Sequence, residues 1–274
     1  MDLNDIFKIK KPIIGMVHLN PLPGAPLYNS VNGMSEILDK AFYDVERLEK
    51  GGVDGLQVEN IWDYPYLKGE EIGVETVAAL AAATQAIKAR TSLPIGVNCH
   101  LNGAQAALAV AVATEAKWIR VFEYVNAYIS HAGIIEGIGS KVSRMRAALG
   151  ANDKVGMMCD IQVKHGSHFI VSDRSLETLA HDAATEGAEM LIITGFETGK
   201  APTAERVKSF KESVSLPVLL GSGTAAHNAK ELLVYADGAI VGSAFKENGN
   251  WKNPVSLKNT KEFMDRIKEL RDEL

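Results

Sequence analysis

Residues 217–243 read PVLLGSGTAAHNAKELLVYADGAIVGS, and this stretch decides the fold. It contains two apolar runs, Val218-Leu219-Leu220 and Ala239-Ile240-Val241, and each run stops at glycine and serine. A proline before the first run is typical of the first position of a strand, where no ladder hydrogen bond is lost. Glycine after a strand lets the backbone approach an anion, and the amides of a strand-to-helix turn point toward it. The stretch therefore predicts two strands that each end in a phosphate-binding turn.

Similar apolar runs recur about every 32 residues, which is the size of one strand-plus-helix unit. They begin at Pro12, Val53, Pro94, Trp118, Val155, Glu189, Pro217 and Asp237. Helical periodicity separates them over residues 35–50, 74–90, 104–116, 176–186, 204–213 and 259–270. This series predicts one α/β domain over residues 1–274, a closed (β/α)8 TIM barrel. The alternative is an open doubly wound sheet, but a proline-rich segment at 20–26 stands where that fold usually has a glycine-rich turn.

The composition is that of a soluble globular protein and argues against several classes of partner. The chain has 274 residues, 29 Lys and Arg against 34 Asp and Glu, and a formal net charge of −5. No basic cluster favours nucleic acid or an anionic membrane, and no apolar run approaches the roughly 18 residues of a membrane span. The acidic start of the chain is unlike a signal peptide, and Cys99 and Cys159 lie singly in apolar runs, as buried thiols do. We therefore expect a cytoplasmic protein.

Alternation along the strands predicts a polar barrel interior, because alternate residues of a strand face opposite sides. The fifth run divides into a helix-facing side of Cys159, Ile161 and Val163 and an interior side of Asp160, Gln162 and Lys164. The same rule directs these further side chains inward: His18, Gln57, Glu59, Asn98, His100, Arg120 and Thr194. Buried polar groups are costly unless they pair or meet a ligand, so the set predicts an active site. A buried ion pair between Arg120 and Glu59 is an equally good interpretation of those two residues.

The chemistry of each side chain suggests its role. The candidate catalytic residues are Asp160, Lys164, His18 and Glu59: the carboxylates could take a proton, and Lys164 could stabilise an oxyanion or form a Schiff base. The candidate substrate-binding residues are Asn98, His100, Arg120 and Thr194. The candidate phosphate-binding residues are Gly221, Ser222, Gly223, Gly242 and Ser243, with Asn228 bracing the first turn. A divalent cation could bind His18, Glu59 and Asp160, but no spacing motif supports it, so no metal ligand and no cofactor is assigned.

Linked motifs run in order along nearly the whole chain. They are PIIGMVHL (12–19) with PLPG (21–24), VEN (58–60) with Asp63 and Pro65, DIQVKH (160–165), Thr194-Gly195 with Thr198-Gly199, GSG (221–223) and ADGAIVGS (236–243). In these motifs the chain resembles the BtpA/SgcQ family of TIM-barrel proteins. The resemblance implies a barrel akin to phosphate-binding barrels. One branch of that family is named for photosystem I assembly or stability, and another is associated with carbohydrate-utilisation operons.

The chain departs from the family pattern after the third and fourth strands. Leu101-Asn102-Gly103 stands where the pattern has an Arg-Asn-Asp run, and Phe122-Glu123-Tyr124 replaces a short polar turn. Because those loops shape the mouth of the barrel, we expect a substrate different from that of the photosynthetic branch.

The leading hypothesis is an enzyme acting on a small phosphorylated metabolite such as a sugar phosphate, with lyase, isomerase or epimerase chemistry. One alternative, implied by the family name, is a non-catalytic assembly factor of the photosystem I biogenesis type, although the sequence shows no exposed apolar stripe to serve as its binding surface. The other is a metal-dependent phosphoester or glycosidic hydrolase. The apolar segment 124–138 predicts a lid or a contact within a homo-oligomer.

Overall fold

The computed structural model describes residues 1–195 and 199–273. The strands are β1 Ile13–His18, β2 Gly55–Glu59, β3 Ile95–Asn98, β4 Trp118–Val121, β5 Ala127–Ser130, β6 Gly133–Glu136, β7 Gly156–Ile161, β8 Met190–Ile193, β9 Val218–Leu220 and β10 Gly238–Val241. The α-helices are α1 Leu3–Ile6, α2 Gly33–Gly51, α3 Val74–Lys88, α4 Ala104–Thr114, α5 Gly139–Ala148, α6 Leu176–Thr185, α7 Ala204–Glu212, α8 Ala229–Leu233 and α9 Leu257–Asp272. Thr198, part of one sequence motif, lies outside the described residues.

The sheet is a closed parallel barrel with the strand order β1-β10-β9-β8-β7-β4-β3-β2. β1 closes it by pairing with both β2 and β10, so that Ile14 lies beside Gly55 and Ile240. Each of the predicted apolar runs supplies one barrel strand, which begins within two residues of the predicted position. The TIM-barrel prediction is confirmed, and closure rules out the open doubly wound sheet. β5 and β6 form a separate antiparallel hairpin within the segment 124–138.

The helices begin and end where local chemistry favours it. Ser175, Thr203 and Ser256 precede α6, α7 and α9, and each side chain accepts a hydrogen bond from a backbone amide of the first turn. Gly52 ends α2 with φ of 90°, a left-handed conformation that glycine adopts without strain. The sequence prediction missed α1, α5 and α8, since α1 and α8 are short and α5 has little apolar periodicity. Among the described residues, no helix combines the length and apolarity needed to cross a bilayer.

The barrel interior is apolar at the end formed by the strand N-termini. Side chains of the barrel strands, including Trp118, Met158 and Met190, form a cluster that Leu3 and Phe7 join from the N-terminal segment. The indole of Trp118 donates to Oε1 of Gln57 at 2.6 Å, which occupies one polar group of that inward-facing amide. Side chains therefore fill the barrel interior at this end, and in TIM barrels ligands bind at the other end, which the strand C-termini form.

Candidate functional site

A cavity of about 720 Å³ opens at the carboxyl ends of the barrel strands, within the size range of small-molecule sites. Most of the predicted site residues line it, namely His18, Glu59, His100, Arg120, Lys164, Gly221, Ser222, Gly223, Gly242 and Ser243. Asn98, Asp160 and Thr194 are buried behind its wall. Two other clefts, of 790 and 870 Å³, are lined by none of the predicted site residues. The cavity is therefore the candidate active site.

Arg120 and Asp160 form a buried ion pair across β4 and β7. Nε of Arg120 donates to Oδ2 of Asp160 at 2.7 Å, and Nη2 donates to Oδ1 at 2.8 Å. The sequence allows an ion pair of Arg120 with Glu59, but in the structure the partner of Arg120 is Asp160. Both carboxylate oxygens accept from the guanidinium, so this geometry does not favour Asp160 as a general base. It favours a role in which Asp160 holds Arg120 at the cavity wall.

Glu59 is a buried carboxylate at the cavity floor. Its Oε2 accepts a hydrogen bond from Asn98 at 2.6 Å, and its Oε1 lies 3.1 Å from Nε2 of His100, off the line of a good hydrogen bond. Burial alone would raise the pKa of Glu59, but the electrostatic attraction of His100, with a smaller contribution from Arg120, holds the pKa well below its usual value. Glu59 is thus ionised at neutral pH and suited to accept hydrogen bonds from substrate hydroxyls. Asn98, predicted to bind substrate, positions this carboxylate.

His18 is a neutral imidazole. Burial, together with the charge of Lys246, lowers its pKa to about 3, against the opposing charge of Glu59. Lys246 lies behind His18 in a buried cluster. There Lys246 donates to Asp44 at 2.7 Å, and Lys40 donates to Asp44 and to the carbonyl of His18. Its Nδ1 lies 3.4 Å from the carbonyl of Trp251, which can only accept, so Nε2 is left to accept a hydrogen bond in the cavity, and His18 does not supply a cation.

Lys164 reaches the cavity from a kink that follows β7. Strand alternation ends at Ile161, because Gln162 adopts a φ of 55°. Beyond that point two predicted side-chain directions are therefore wrong. Gln162, predicted to face the interior, turns outward and accepts a hydrogen bond from Arg206 at 2.9 Å, and Val163, predicted to face the helices, lines the cavity mouth. Burial, followed by the charge of Arg120, lowers the pKa of the half-buried Lys164 amine to about 8. A substantial neutral fraction near physiological pH suits a base or a nucleophile.

The two glycine turns line the same cavity as Lys164. We call residues 221–224 and 242–244 the phosphate cradle. The amides of Gly223 and Ser243 have no hydrogen-bond partner among the described residues. Asn228 braces the first turn as predicted, since its Nδ2 donates to the carbonyl of Gly223 at 3.0 Å. The hydroxyl of Ser222 is already engaged, because it donates to the carbonyl of Lys200 and accepts from the amide of Gly195.

Thr224 supplies the hydroxyl that Ser222 does not. Its side chain lines the cavity and is only 3% exposed, and Oγ1 has no hydrogen-bond partner within residues 1–195 and 199–273. A buried hydroxyl without a partner is costly, and a bound anion would satisfy it. Thr224 was missed as a site residue, although it follows Gly221-Ser222-Gly223 directly in the sequence.

Aromatic side chains were also missed. Tyr64, Tyr66, Phe122, Tyr128 and Trp251 line the cavity mouth. The available signal was the aromatic spacing in the segment WDYPY (62–66) after β2. The hairpin brings in Tyr128, so the segment 124–138 covers part of the mouth, as a lid would; its role in a homo-oligomer stays a prediction.

The sequence leaves open a divalent cation bound by His18, Glu59 and Asp160, and the structure does not support that alternative. Within the described part of the chain, no group of three or more His, Cys, Asp or Glu side chains is arranged to hold a metal ion. The physical reason is that both oxygens of Asp160 are taken by Arg120.

Glu123 is a second buried carboxyl and gives a stability prediction. It is 7% exposed, its Oε2 lacks a partner among the described residues, and burial with the nearby charge of Asp160 raises its pKa well above the ordinary value. A folded-state pKa above the unfolded one means that the folded protein binds the extra proton, so stability falls as pH rises above about 4.3. Urea unfolding at pH 5 to 8 measures this effect. Relative to Glu123→Gln, the free energy of unfolding of wild type should fall by up to about 1.4 kcal/mol per pH unit, until Glu123 ionises in the folded protein.

The matched control is Glu262→Gln on the exposed face of α9, whose side chain is 62% exposed. This variant should keep the pH dependence of wild type. Parallel stability curves for wild type and Glu123→Gln would show that Glu123 is ionised in the folded protein.

Comparison with known sequences gives full-length relatives. An uncharacterized protein of Thermococcus kodakarensis is 38% identical over 263 residues, which cover 96% of this chain and 97% of the relative. The photosystem I biogenesis protein BtpA of Synechocystis is 30% identical over 271 residues, which cover 98% of this chain and 92% of that protein.

Comparison with solved structures gives the fold. The N-(5'-phosphoribosyl)anthranilate isomerase of Pyrococcus furiosus superimposes with a TM-score of 0.55 at 14% identity, covering 94% of this chain and 99% of the isomerase.

Residues 9–269 match the sequence model of the BtpA family. The chain therefore belongs to the BtpA family.

Proposed function

We propose that this protein is an enzyme that acts on a small phosphorylated metabolite, with lyase, isomerase or epimerase chemistry. One observation carries the proposal: the phosphate cradle lines the same cavity as the amine of Lys164, and the hydroxyl of Thr224 in that cradle has no hydrogen-bond partner among the described residues. Phosphate-anchored proton transfer requires an anion-binding group and a titrating group that face the same cavity.

The charges at the site favour an anionic ligand. Arg120 and Lys164 line the cavity and Lys246 and Lys40 lie behind His18, so these four basic groups outnumber the nearby carboxylates of Glu59, Asp160 and Asp44. Cations that face a partly enclosed site raise the local concentration of anions. By its name, the isomerase of the same fold acts on a phosphoribosyl compound, which supports a phosphate ester as the ligand.

The chemistry follows from the states of the side chains. The neutral amine of Lys164 would take a proton from carbon or form a Schiff base with a carbonyl. Arg120, held by Asp160, would stabilise the oxyanion that develops on the adjacent oxygen. Glu59 would hold substrate hydroxyls, and the neutral His18 would pass a proton between oxygens. Lyase, isomerase and epimerase reactions can all use this arrangement.

Gly242 offers a sharp test of the phosphate cradle. A Cβ at Gly242 would meet Met16 and His18 at ordinary contact distances of 3.4 and 3.7 Å, so a side chain fits there. Gly242→Asp should weaken binding of ribose 5-phosphate by about 100-fold, because like charges placed together cost several kcal/mol. Isothermal titration calorimetry measures the loss, and melting curves verify the fold.

The matched control is Gly242→Asn, which has the same shape without the charge and should bind within about fivefold of wild type. Gly223 is unsuitable, since its φ is +74° and a Cβ there would lie 2.0 Å from the backbone nitrogen of Ala201. Equal binding by the Asp and Asn variants would place the phosphate elsewhere and overturn the proposal.

A further inference from the structure

One side of the cavity mouth, formed by the segments after β2, β3, β4 and β7, is lined mainly by aromatic and aliphatic side chains. We call it the aromatic wall, and it consists of Tyr66, His100, Leu101, Phe122, Tyr128 and Val163. The ring of Tyr66 stacks on His100 with centroids 4.5 Å apart and planes 25° apart. Phe122 meets His100 edge-on at 4.9 Å. Phe122 and Tyr128 show only a small area to the cavity, whereas Tyr66 and His100 are partly exposed, so the ring surface that a ligand can contact is mainly that of Tyr66.

The aromatic wall is held rigidly from behind. Phe122 and Tyr128 are only 5% and 2% exposed. His168 stacks on Tyr128 at 5.3 Å, and its Nε2 lies 2.8 Å from the carbonyl of Val163. Ile129 and Ser167 exchange two backbone hydrogen bonds, which tie the hairpin to the loop after β7. A surface fixed in this way loses little conformational entropy when a ligand packs on it.

A simple sugar phosphate leaves the aromatic wall unused. Sugar hydroxyls need polar partners, and the groups that supply them are at the floor, at Glu59, Arg120 and Lys164. The wall offers instead dispersion contact and ring stacking, which favour a planar π system. His100 adds one polar handle, since its Nδ1 is buried and has no partner among the described residues. A ring nitrogen or an exocyclic amine would satisfy it.

We propose that the aromatic wall binds a planar heteroaromatic ring, so that the ligand of this cavity is a phosphate ester that carries such a ring on a polyol. Phosphate binds the cradle, the polyol contacts Glu59 and Arg120, and the ring packs on Tyr66 and Phe122. Nucleoside monophosphates are the simplest members of this chemical class. The inference rests on the proposed function, because the phosphate cradle anchors the other end of the ligand.

Calorimetric titration with matched probes tests the two ideas separately. The probes are ribose 5-phosphate, the four common ribonucleoside 5'-monophosphates and the corresponding free nucleosides. We expect at least one monophosphate to bind about tenfold or more tightly than ribose 5-phosphate and than its own nucleoside. If ribose 5-phosphate binds as tightly as every monophosphate, the ring site is overturned and the phosphate cradle stands. If the monophosphates bind no tighter than their nucleosides, or nothing binds, the phosphate cradle fails and the inference fails with it.

Two variants locate the ring. Phe122→Leu and Tyr66→Leu keep an apolar side chain but remove an aromatic face, and each should weaken monophosphate binding by about 3- to 10-fold. Ribose 5-phosphate should bind each variant as it binds wild type, which serves as the internal control for folding. Gly242→Asp should weaken the binding of both the monophosphate and ribose 5-phosphate. Equal losses for the monophosphate and ribose 5-phosphate in both leucine variants would contradict a ring site at the aromatic wall.

Discussion

Replacing Asp160 by asparagine is expected to lower the free energy of unfolding by about 3–5 kcal/mol. The substitution removes the countercharge of Arg120, whose side chain is 3% exposed and makes two hydrogen bonds to Asp160. A buried guanidinium left without its partner is costly, since the barrel interior solvates it far less than water does. Urea unfolding at pH 7, with circular dichroism as the probe, measures the loss.

Two comparisons make this prediction specific. Asp265→Asn removes a carboxylate from an exposed pair with Lys268 and should change stability by no more than about 1 kcal/mol. The double variant Arg120→Met with Asp160→Leu removes both buried charges, so it should be less destabilised than the sum of its single variants. If Asp160→Asn is as mild as Asp265→Asn, the ion pair does not hold the barrel, and Asp160 regains its place as a candidate base.

The fold could be predicted because it depends on local pattern. Apolar runs of strand length alternate with helical periodicity, and that alternation is visible without any knowledge of contacts. The position of the two glycine turns at the cavity could be predicted for the same reason, since the glycines follow directly on β9 and β10. The hairpin of β5 and β6 was not predicted, because it is an insertion between β4 and α5 that is not part of the strand-plus-helix repeat.

The pairing of the polar residues could not be predicted, because it depends on the register between strands. Arg120 lies beside Met158 in the pairing of β4 with β7, which brings its guanidinium to Asp160. Glu59 is on β2, and β3 separates that strand from β4. Strand alternation gives the direction of a side chain but not the neighbour it meets. The positive φ of Gln162 likewise has no sequence signal, and it alone redirects Val163 to the cavity.

Lys164→Met is expected to lower kcat/KM for the substrate by about 10²- to 10⁴-fold, the usual contribution of a positioned proton-transfer group. The reason is the pKa of about 8, which burial and the charge of Arg120 bring down from the ordinary value of 10.5. If the neutral amine reacts, kcat/KM should rise with pH through a midpoint near 8, whereas an amine that acts as a cation gives the opposite slope. Competitive labelling with an amine-selective reagent measures the same midpoint without any substrate.

Lys164→Arg separates the two roles, because arginine keeps the positive charge but has no neutral amine at these pH values. Substantial activity in this variant would favour oxyanion stabilisation, and loss equal to that of Lys164→Met would favour a base or a Schiff base. Lys208→Met, on the exposed face of α7, is the control and should be fully active. Asp160→Asn should move the labelling midpoint below 8, since Asp160 raises the pKa of Lys164. A midpoint near 10.5 in wild type would show that Lys164 is an ordinary solvated amine and would remove it from the chemistry.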